Sequence, residues 1–439
     1  MAPPWVLLDR QVKFVDGGLF AGAAIGGSSR EPTLEEALLV MEPHPVVADP
    51  PEVTFLSMLR MIPAHPMQKV HDATISSTDK NLVVLYTGMY RPGNGGYARD
   101  GCYLVYDASR NSLAVIPQLD PAAGGRLVPV LRTIKCLGNS AAIVRHGGET
   151  GAFVLAELVT TYHPGLPDAQ LYQWWSSCAG VNSGRWLRSA VRLPLPPDLC
   201  GPTYFFQIDM AFVFQGSICW VDLLTGILIC DLFALQEPEF SFIPLPQGRS
   251  LHTPNNVRLG LKVQAFRSMG IVRGAIKFVA LIGYTETSLS KSSNLVLETW
   301  TCHDLREWKK GPALRVGDLW ASESFSKMEL PRVRPMFPVL CMDEDEIVIF
   351  LNDVEYVDKV DRFGQITGRQ LVLNGHYVVR LDLVQNKVLY SKGGTTNNLA
   401  LLEPALLASD FSAYLRGSKH RQSGKEASNV GAIMKRPRY

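Results

Sequence analysis

Ile218-Cys-Trp-Val-Asp222, Leu223-Leu-Thr-Gly226 and Ile227-Leu-Ile-Cys-Asp231 read as one hairpin. Two apolar runs of strand length flank a short loop, and the first run ends in Asp. Asp, Asn and Gly supply the turn dihedrals and side-chain caps that reverse a strand within few residues. The same grammar returns elsewhere in the chain. Cys102-Tyr-Leu-Val-Tyr-Asp107 turns through Ala108-Ser-Arg-Asn111 into Ser112-Leu-Ala-Val-Ile116. Tyr377-Val-Val-Arg-Leu-Asp382 turns through Leu383-Val-Gln-Asn386 into Lys387-Val-Leu-Tyr390. Looser versions join Leu171–Trp175 to Trp186, and Leu297–Trp300 to Trp308 and Lys309.

Further strands are predicted at Asn81–Thr87, Gly151–Thr160, Ala211–Phe214, Ile276–Ile282 and Glu346–Leu351. These runs are rich in Val, Ile, Phe and Tyr and are bounded by Gly, Pro, Asn or Asp. Amphipathic helices are scarce. One is predicted at about residues 33–41, where Thr33 and Glu36 form a capping box. A second is predicted over 404–415, opening on Pro404 and presenting Leu407, Phe411, Tyr414 and Leu415.

In-line antiparallel hairpins with few helices point to an all-β protein. The favoured architecture is a β-propeller of about six irregular blades, with a pair of β-sandwich domains as the alternative. Hairpin spacing is uneven, so blades must carry insertions, and neither the WD signature nor regular kelch double glycines occur. Residues 1–416 are read as a single domain and 417–439 as a disordered basic tail.

The 439 residues are 46% hydrophobic, ample for a buried core, and carry a net charge of +2. That balance is uneven: from Arg416 onward the tail carries +6, leaving −4 on the body. A mildly acidic body lacks the basic face of a nucleic-acid-binding domain, so nucleic acid is expected only through the tail. No run approaches the roughly 18 apolar residues needed to span a bilayer, so no membrane partner is expected. The opening Met1-Ala-Pro-Pro-Trp5 has no charged n-region before an apolar stretch. Eight scattered cysteines, without a Cys-x-x-Cys pair, read as buried reduced thiols rather than a disulfide framework. The expected compartment is cytoplasm or nucleus, and not the secretory pathway.

Cys219-Trp-Val-Asp-Leu-Leu-Thr-Gly-Ile-Leu-Ile-Cys-Asp231, followed by Phe242-Ile-Pro-Leu-Pro246, resembles the hallmark of a plant family, expanded in grasses, defined by domain of unknown function 1618. Trp5-Val-Leu-Leu-Asp9, Gly274-Ala-Ile-Lys-Phe-Val279, Glu298-Thr-Trp300, Trp308-Lys309 and Tyr414-Leu415 resemble its other landmarks, in order. The resemblance implies kinship with propeller domains that accompany F-box segments in plant ubiquitin-ligase adaptors. A Leu-Pro-rich helical F-box is not seen at the N-terminus, and the resemblance implies no catalytic residue.

Trp220, Trp300 and Trp308 could line an aromatic groove, but packing between blades explains them better. Asp107, Asp222 and Asp382 could ligate metal, but equivalent turn positions favour backbone caps. Asp343-Glu-Asp-Glu346 lacks the sharp-turn Gly of a calcium loop and reads as a solvated hairpin turn. Arg91-Pro-Gly-Asn-Gly-Gly-Tyr-Ala-Arg99 could cradle an anion, yet fits neither phosphate-loop fingerprint. Arg91, Asn94, Tyr97 and Arg99 are its candidate contact residues, and 163–169 is a second variable loop. Lys435, Arg436 and Arg438 resemble a short nuclear-import signal.

The histidines form no metal-binding or protease signature, and Gly-x-Ser-x-Gly is missing. His303 and Asp304 read as neighbours on one strand, whose side chains would point to opposite faces. No catalytic, cofactor or metal residue is assigned. The expected function is a non-catalytic protein-interaction scaffold with an unidentified protein partner. The alternatives are an enzyme working in a central funnel and nucleic-acid association through the tail.

Overall fold

The computed structural model describes residues 2–16, 38–60, 72–88, 101–117, 119, 137–138, 140–146, 152–160, 168–176, 184–199, 206–234, 237–251, 262–284, 293–343, 345–360, 362, 365–394 and 403–415. The protein is nearly all β. Its first strands are β1 (Val6–Asp9), β2 (Gln11–Asp16), β3 (Glu42–Val46) and β4 (Val53–Arg60). Five antiparallel meanders of four strands follow in chain order. The first is β5 (Asp72–Asp79), β6 (Leu82–Tyr86), β7 (Tyr103–Asp107) and β8 (Ser112–Ile116). The second is β9 (Ala141–Arg145), β10 (Phe153–Thr160), β11 (Ala169–Trp175) and β12 (Trp186–Val191). The third is β13 (Met210–Phe214), β14 (Ser217–Asp222), β15 (Gly226–Asp231) and β16 (Glu239–Pro244). The fourth is β17 (Arg267–Val272), β18 (Ala275–Ile282), β19 (Val296–Cys302) and β20 (Lys309–Arg315). The fifth is β21 (Pro335–Leu340), β22 (Glu346–Val360), β23 (Ile366–Asp382) and β24 (Lys387–Gly394).

The last strand, β25 (Leu406–Ser409), returns to the start of the chain and pairs antiparallel with β1. β1 pairs parallel with β4, which pairs antiparallel with β3, so β25-β1-β4-β3 is a further four-strand unit. β1 and β2 are one strand broken at Arg10. Beyond the break β2 pairs with both β4 and β5, which fuses this unit to the first meander. Buried Arg10 holds the junction: its Nε donates to Ile75 O at 2.7 Å, and its backbone N–H donates to Ala405 O at 2.8 Å.

The hairpins expected from sequence are present, and their Asp residues act as caps. Asp107 Oδ1 accepts from Ser109 N at 2.9 Å, Asp222 Oδ1 from Leu224 N at 2.8 Å, and Asp382 Oδ1 from Val384 N at 2.8 Å. These bonds satisfy donors that a tight turn strands. Gly226 closes the turn because β16 runs directly over it. A Cβ there would sit 2.4 Å from Ile243 O and 2.5 Å from the Phe242 ring. Gly226→Ala is therefore expected to cost about 1–3 kcal/mol of unfolding free energy through overpacking. Urea titration checks this; an unchanged midpoint would mean that β16 yields freely.

Apolar burial lies between successive units. One cluster joins the first meander to the second through Val84, Tyr103, Ile143 and Leu155. Another joins the second to the third through Val154, Leu171, Trp220 and Leu228. A larger one links the third, fourth and fifth. Indole N–H groups fasten the same seams. Trp186 donates to Pro117 O at 2.8 Å, Trp220 to Ser140 O at 2.7 Å and Trp308 to Pro244 O at 2.8 Å. Each bond crosses from one meander to its predecessor, the packing role expected for Trp220 and Trp308. Trp300 is buried in the larger cluster with the Arg249 guanidinium 5.2 Å from its ring centroid.

Residues 404–415, expected to be helical, instead form β25 and a 3-10 turn, Phe411–Tyr414. Leu407 and Phe411 have helical spacing, but the open edge of β1 takes Leu406–Ser409 as a strand, and tertiary pairing outweighs local periodicity. Most of the helix expected at 33–41 lies outside the described residues; its end closes a turn, Met41 N to Leu38 O at 3.2 Å. Two short helices were not expected, α1 (Val316–Ala321) and α2 (Glu323–Lys327). α2 is capped by Ser322, whose hydroxyl accepts from Phe325 N at 3.2 Å.

Candidate functional site

The loop residues Arg91, Asn94, Tyr97 and Arg99, most of loop 163–169, and the tail residues Lys435, Arg436 and Arg438 lie outside the described residues. Two other places could carry function. One is a cavity between units, and the other is a protruding ribbon.

The cavity has a volume of about 70 Å³ and lies where β13, β17, β21 and β25 approach the Arg10 junction. Arg10, Asp209, Lys262, Gln264, Arg267 and Glu403 supply its polar wall. These groups hold the units together. Asp209 Oδ2 accepts from Leu223 N at 2.8 Å, and Arg267 donates to Leu223 O at 2.8 Å and Arg249 O at 2.9 Å. Lys262 and Glu403 form an ion pair. Small-molecule sites run to about 300–1,000 Å³, so this space suits a few waters rather than a substrate.

The ribbon is the long part of the β22–β23 hairpin. From Glu346 to Leu351, β22 is flanked on both sides, by β21 and by β23. From Asn352 to Val360 it pairs with β23 alone among the described strands. From Asp353 on, where β23 has also parted from β24, the arm is two-stranded and at ~3.3 Å per residue extends about 26 Å beyond the sheet. Its base is pinned by His376 Nδ1 and Asn352 Oδ1 at 2.8 Å, and partial burial lowers the His376 pKa. Along the arm Asp358 and Arg369 pair at 3.1 Å. Tyr356 (58% exposed), Val360 (58%) and Ile366 (66%) stand in solvent, and Val357, on the opposite face, is 38% exposed. The signal in the sequence was alternation: Val354, Tyr356 and Val360 on one strand face Ile366, Leu371 and Leu373 on the other.

Among the described residues no group of three or more His, Cys, Asp or Glu side chains could hold a metal ion. The run Asp343–Glu346 leads from β21 into β22, and of its described residues Asp345 and Glu346 are paired. Asp345 meets Arg273 at 3.3 Å and also Lys277, which holds its carboxyl below the usual range, and Glu346 pairs with Arg380. Cys219, Cys230 and Cys302 are buried free thiols, and Cys102 and Cys341 are buried as well. Burial pushes the Cys230 thiol up to about 12, which leaves it unreactive near neutrality.

These features define a nearly all-β protein of four-stranded antiparallel units with a projecting ribbon. Residues 220–349, from β14 to β22, match the family described as "Protein of unknown function (DUF1618)". No protein with a curated description matches the sequence. Among solved structures it is similar to a GH32 β-fructofuranosidase of Bombyx mori, at 13% identity and TM-score 0.31, over 76% of this chain and 64% of that one. It thus spans less than two thirds of that enzyme. A glycosyl hydrolase from Bacteroides ovatus shows 9% identity and TM-score 0.19, over 73% and 71% of the two chains. PorZ, a surface component of the type-IX secretion system of Porphyromonas gingivalis, shows 11% identity and TM-score 0.21, over 77% and 61%. Likeness at this level carries no argument about function.

Proposed function

We propose that this protein is a non-catalytic interaction scaffold, a β-propeller of about six blades whose β22–β23 ribbon engages a protein partner. Support for the propeller comes from the five meanders in chain order and from β25-β1-β4-β3 as a unit shared by the two ends. The first strands also lie together: β5 against β9 and β13, β17 against β21, and β21 near β25. Buried reduced thiols fit a cytoplasmic or nuclear setting.

The ribbon carries the functional reading. An isolated two-stranded hairpin is marginal in water, and apolar side chains on both faces of a free arm gain stability only when something covers them. A Tyr356→Asp, Ile366→Asp double variant is expected to lose a partner captured by the full chain, with the thermal midpoint of the body unchanged. Retained capture would remove the ribbon from the proposal. Capture lost only when residues 417–439 are deleted, with steep salt dependence, would favour nucleic-acid association through the tail. The enzyme reading would need turnover abolished by changes around the cavity, such as Asp209→Asn.

A further inference from the structure

The exposed edge of β22 is self-complementary, and we propose that it pairs antiparallel with the same edge of a second copy of this chain. The inference rests on the scaffold reading and names the ribbon's partner.

The segment is Val354-Glu-Tyr-Val-Asp-Lys-Val360. An isologous contact places the same strand on both sides of a two-fold axis, so each residue meets its mirror position in sequence. With the axis at Val357, Val354 faces Val360 twice, Glu355 faces Lys359 twice and Val357 faces itself. Tyr356 lies opposite Asp358, whose carboxylate is already oriented by Arg369. Opposite charges and β-branched pairs directly across strands are the favourable combinations, and like charges are the unfavourable ones. Within this register every charged residue meets an opposite charge or a phenol.

The structure leaves the edge available. β23 is the sole described strand pairing residues 352–360, and residues 355–360 are exposed. An unpaired, partly apolar edge of this length is a template for another strand, and the irregularities of the β22–β23 ladder fall at its two ends, Asp353/Val354 and Lys359/Val360. Proteins blunt such edges with lysine, and Lys359 would do so alone. Glu355 cancels that protection for one partner only, a strand that brings its own Glu to Lys359 and its own Lys to Glu355. Pairing would join two ribbons into a four-stranded sheet, satisfy the open backbone N–H and C=O groups of both edges, and set the apolar side chains of one copy beside those of the other. The surface involved is small, so the association belongs to the weak, concentration-dependent class.

Sedimentation equilibrium of the full chain tests the proposal. The wild type is expected to show a monomer–dimer equilibrium. Lys359→Glu puts Glu against Glu at both symmetric positions and is expected to weaken the dimer at least tenfold. The double variant Glu355→Lys, Lys359→Glu restores both attractions and is expected to return the dimer to near its original strength. A wild type that stays monomeric at high concentration overturns the proposal, as does a dimer indifferent to Lys359→Glu or one that the double variant fails to restore. A monomeric wild type whose partner capture still depends on Tyr356 and Ile366 would end the self-pairing inference and leave the scaffold reading standing. Loss of both would end both.

Discussion

Trp220→Ala is expected to lower the unfolding free energy by about 4 kcal/mol, the usual cost of emptying a large aromatic site in a core. The ring is fully buried, stacks on Phe240 at 6.0 Å, and belongs to the cluster joining the second and third meanders. Removal opens a cavity at that seam and also strands Ser140 O, which accepts the indole N–H at 2.7 Å. Trp220→Phe keeps most of the apolar surface and loses the bond, so about 1–2 kcal/mol is expected. Urea unfolding at constant m-value distinguishes the two. A loss below about 1 kcal/mol for the alanine variant would show that the seam does not depend on this ring.

The second large effect concerns pH. Glu157, in the middle of β10, is fully buried at the seam between the first and second meanders. Burial raises its pKa to about 7, partly opposed by bonds from the Tyr103 hydroxyl, Gly138 N at 2.6 Å and Ser140 Oγ at 3.0 Å. The Tyr103 phenol is itself pushed well above its usual value by burial and by Glu157, so it remains a donor. Below about pH 4 the carboxyl is protonated in both folded and unfolded chains. Between there and about pH 7 the folded chain binds the extra proton, so stability falls as pH rises, by about 3 kcal/mol in all. Glu157→Gln removes this titration. The difference between the wild-type and variant stability curves is expected to slope across pH 5–7 and flatten above. Parallel curves would contradict a buried, proton-binding Glu157.

The hairpins were legible because their determinants are local. Asp107, Asp222 and Asp382 cap turns two residues away, and strand length and punctuation surround them. The role of Trp220 as seam packing was also legible, because a ring that large on an apolar strand has few other uses. What could not be read depends on distant partners. Arg10, Asp209, Lys262, Arg267 and Glu403 share one cavity wall from four separate places in the sequence. β25 has real helical spacing in its sequence, and the vacant edge of β1 that recruits it as a strand lies at the other end of the chain. Glu157 did leave a trace, as the sole charge within the apolar run Phe153–Thr160. The ribbon left one too. Its alternation was present between Val354 and Leu373, but nothing in a strand's own sequence says whether a neighbour will cover it.

The pairing of β1 with β25 has a temporal meaning. Val6 lies against Ser409, and Ser412 Oγ reaches Pro3 O at 2.8 Å, so partners some 400 residues apart meet in one sheet. At ~5–20 residues per second on the ribosome, β1 waits roughly 20–80 s for its mate. The meanders from β5 to β24 can each form as they emerge, while the first strand stays a bare apolar edge. Biosynthesis therefore sets a window of vulnerability that closes only with the last strand, and nascent-chain chaperones have most to shield at the N-terminus.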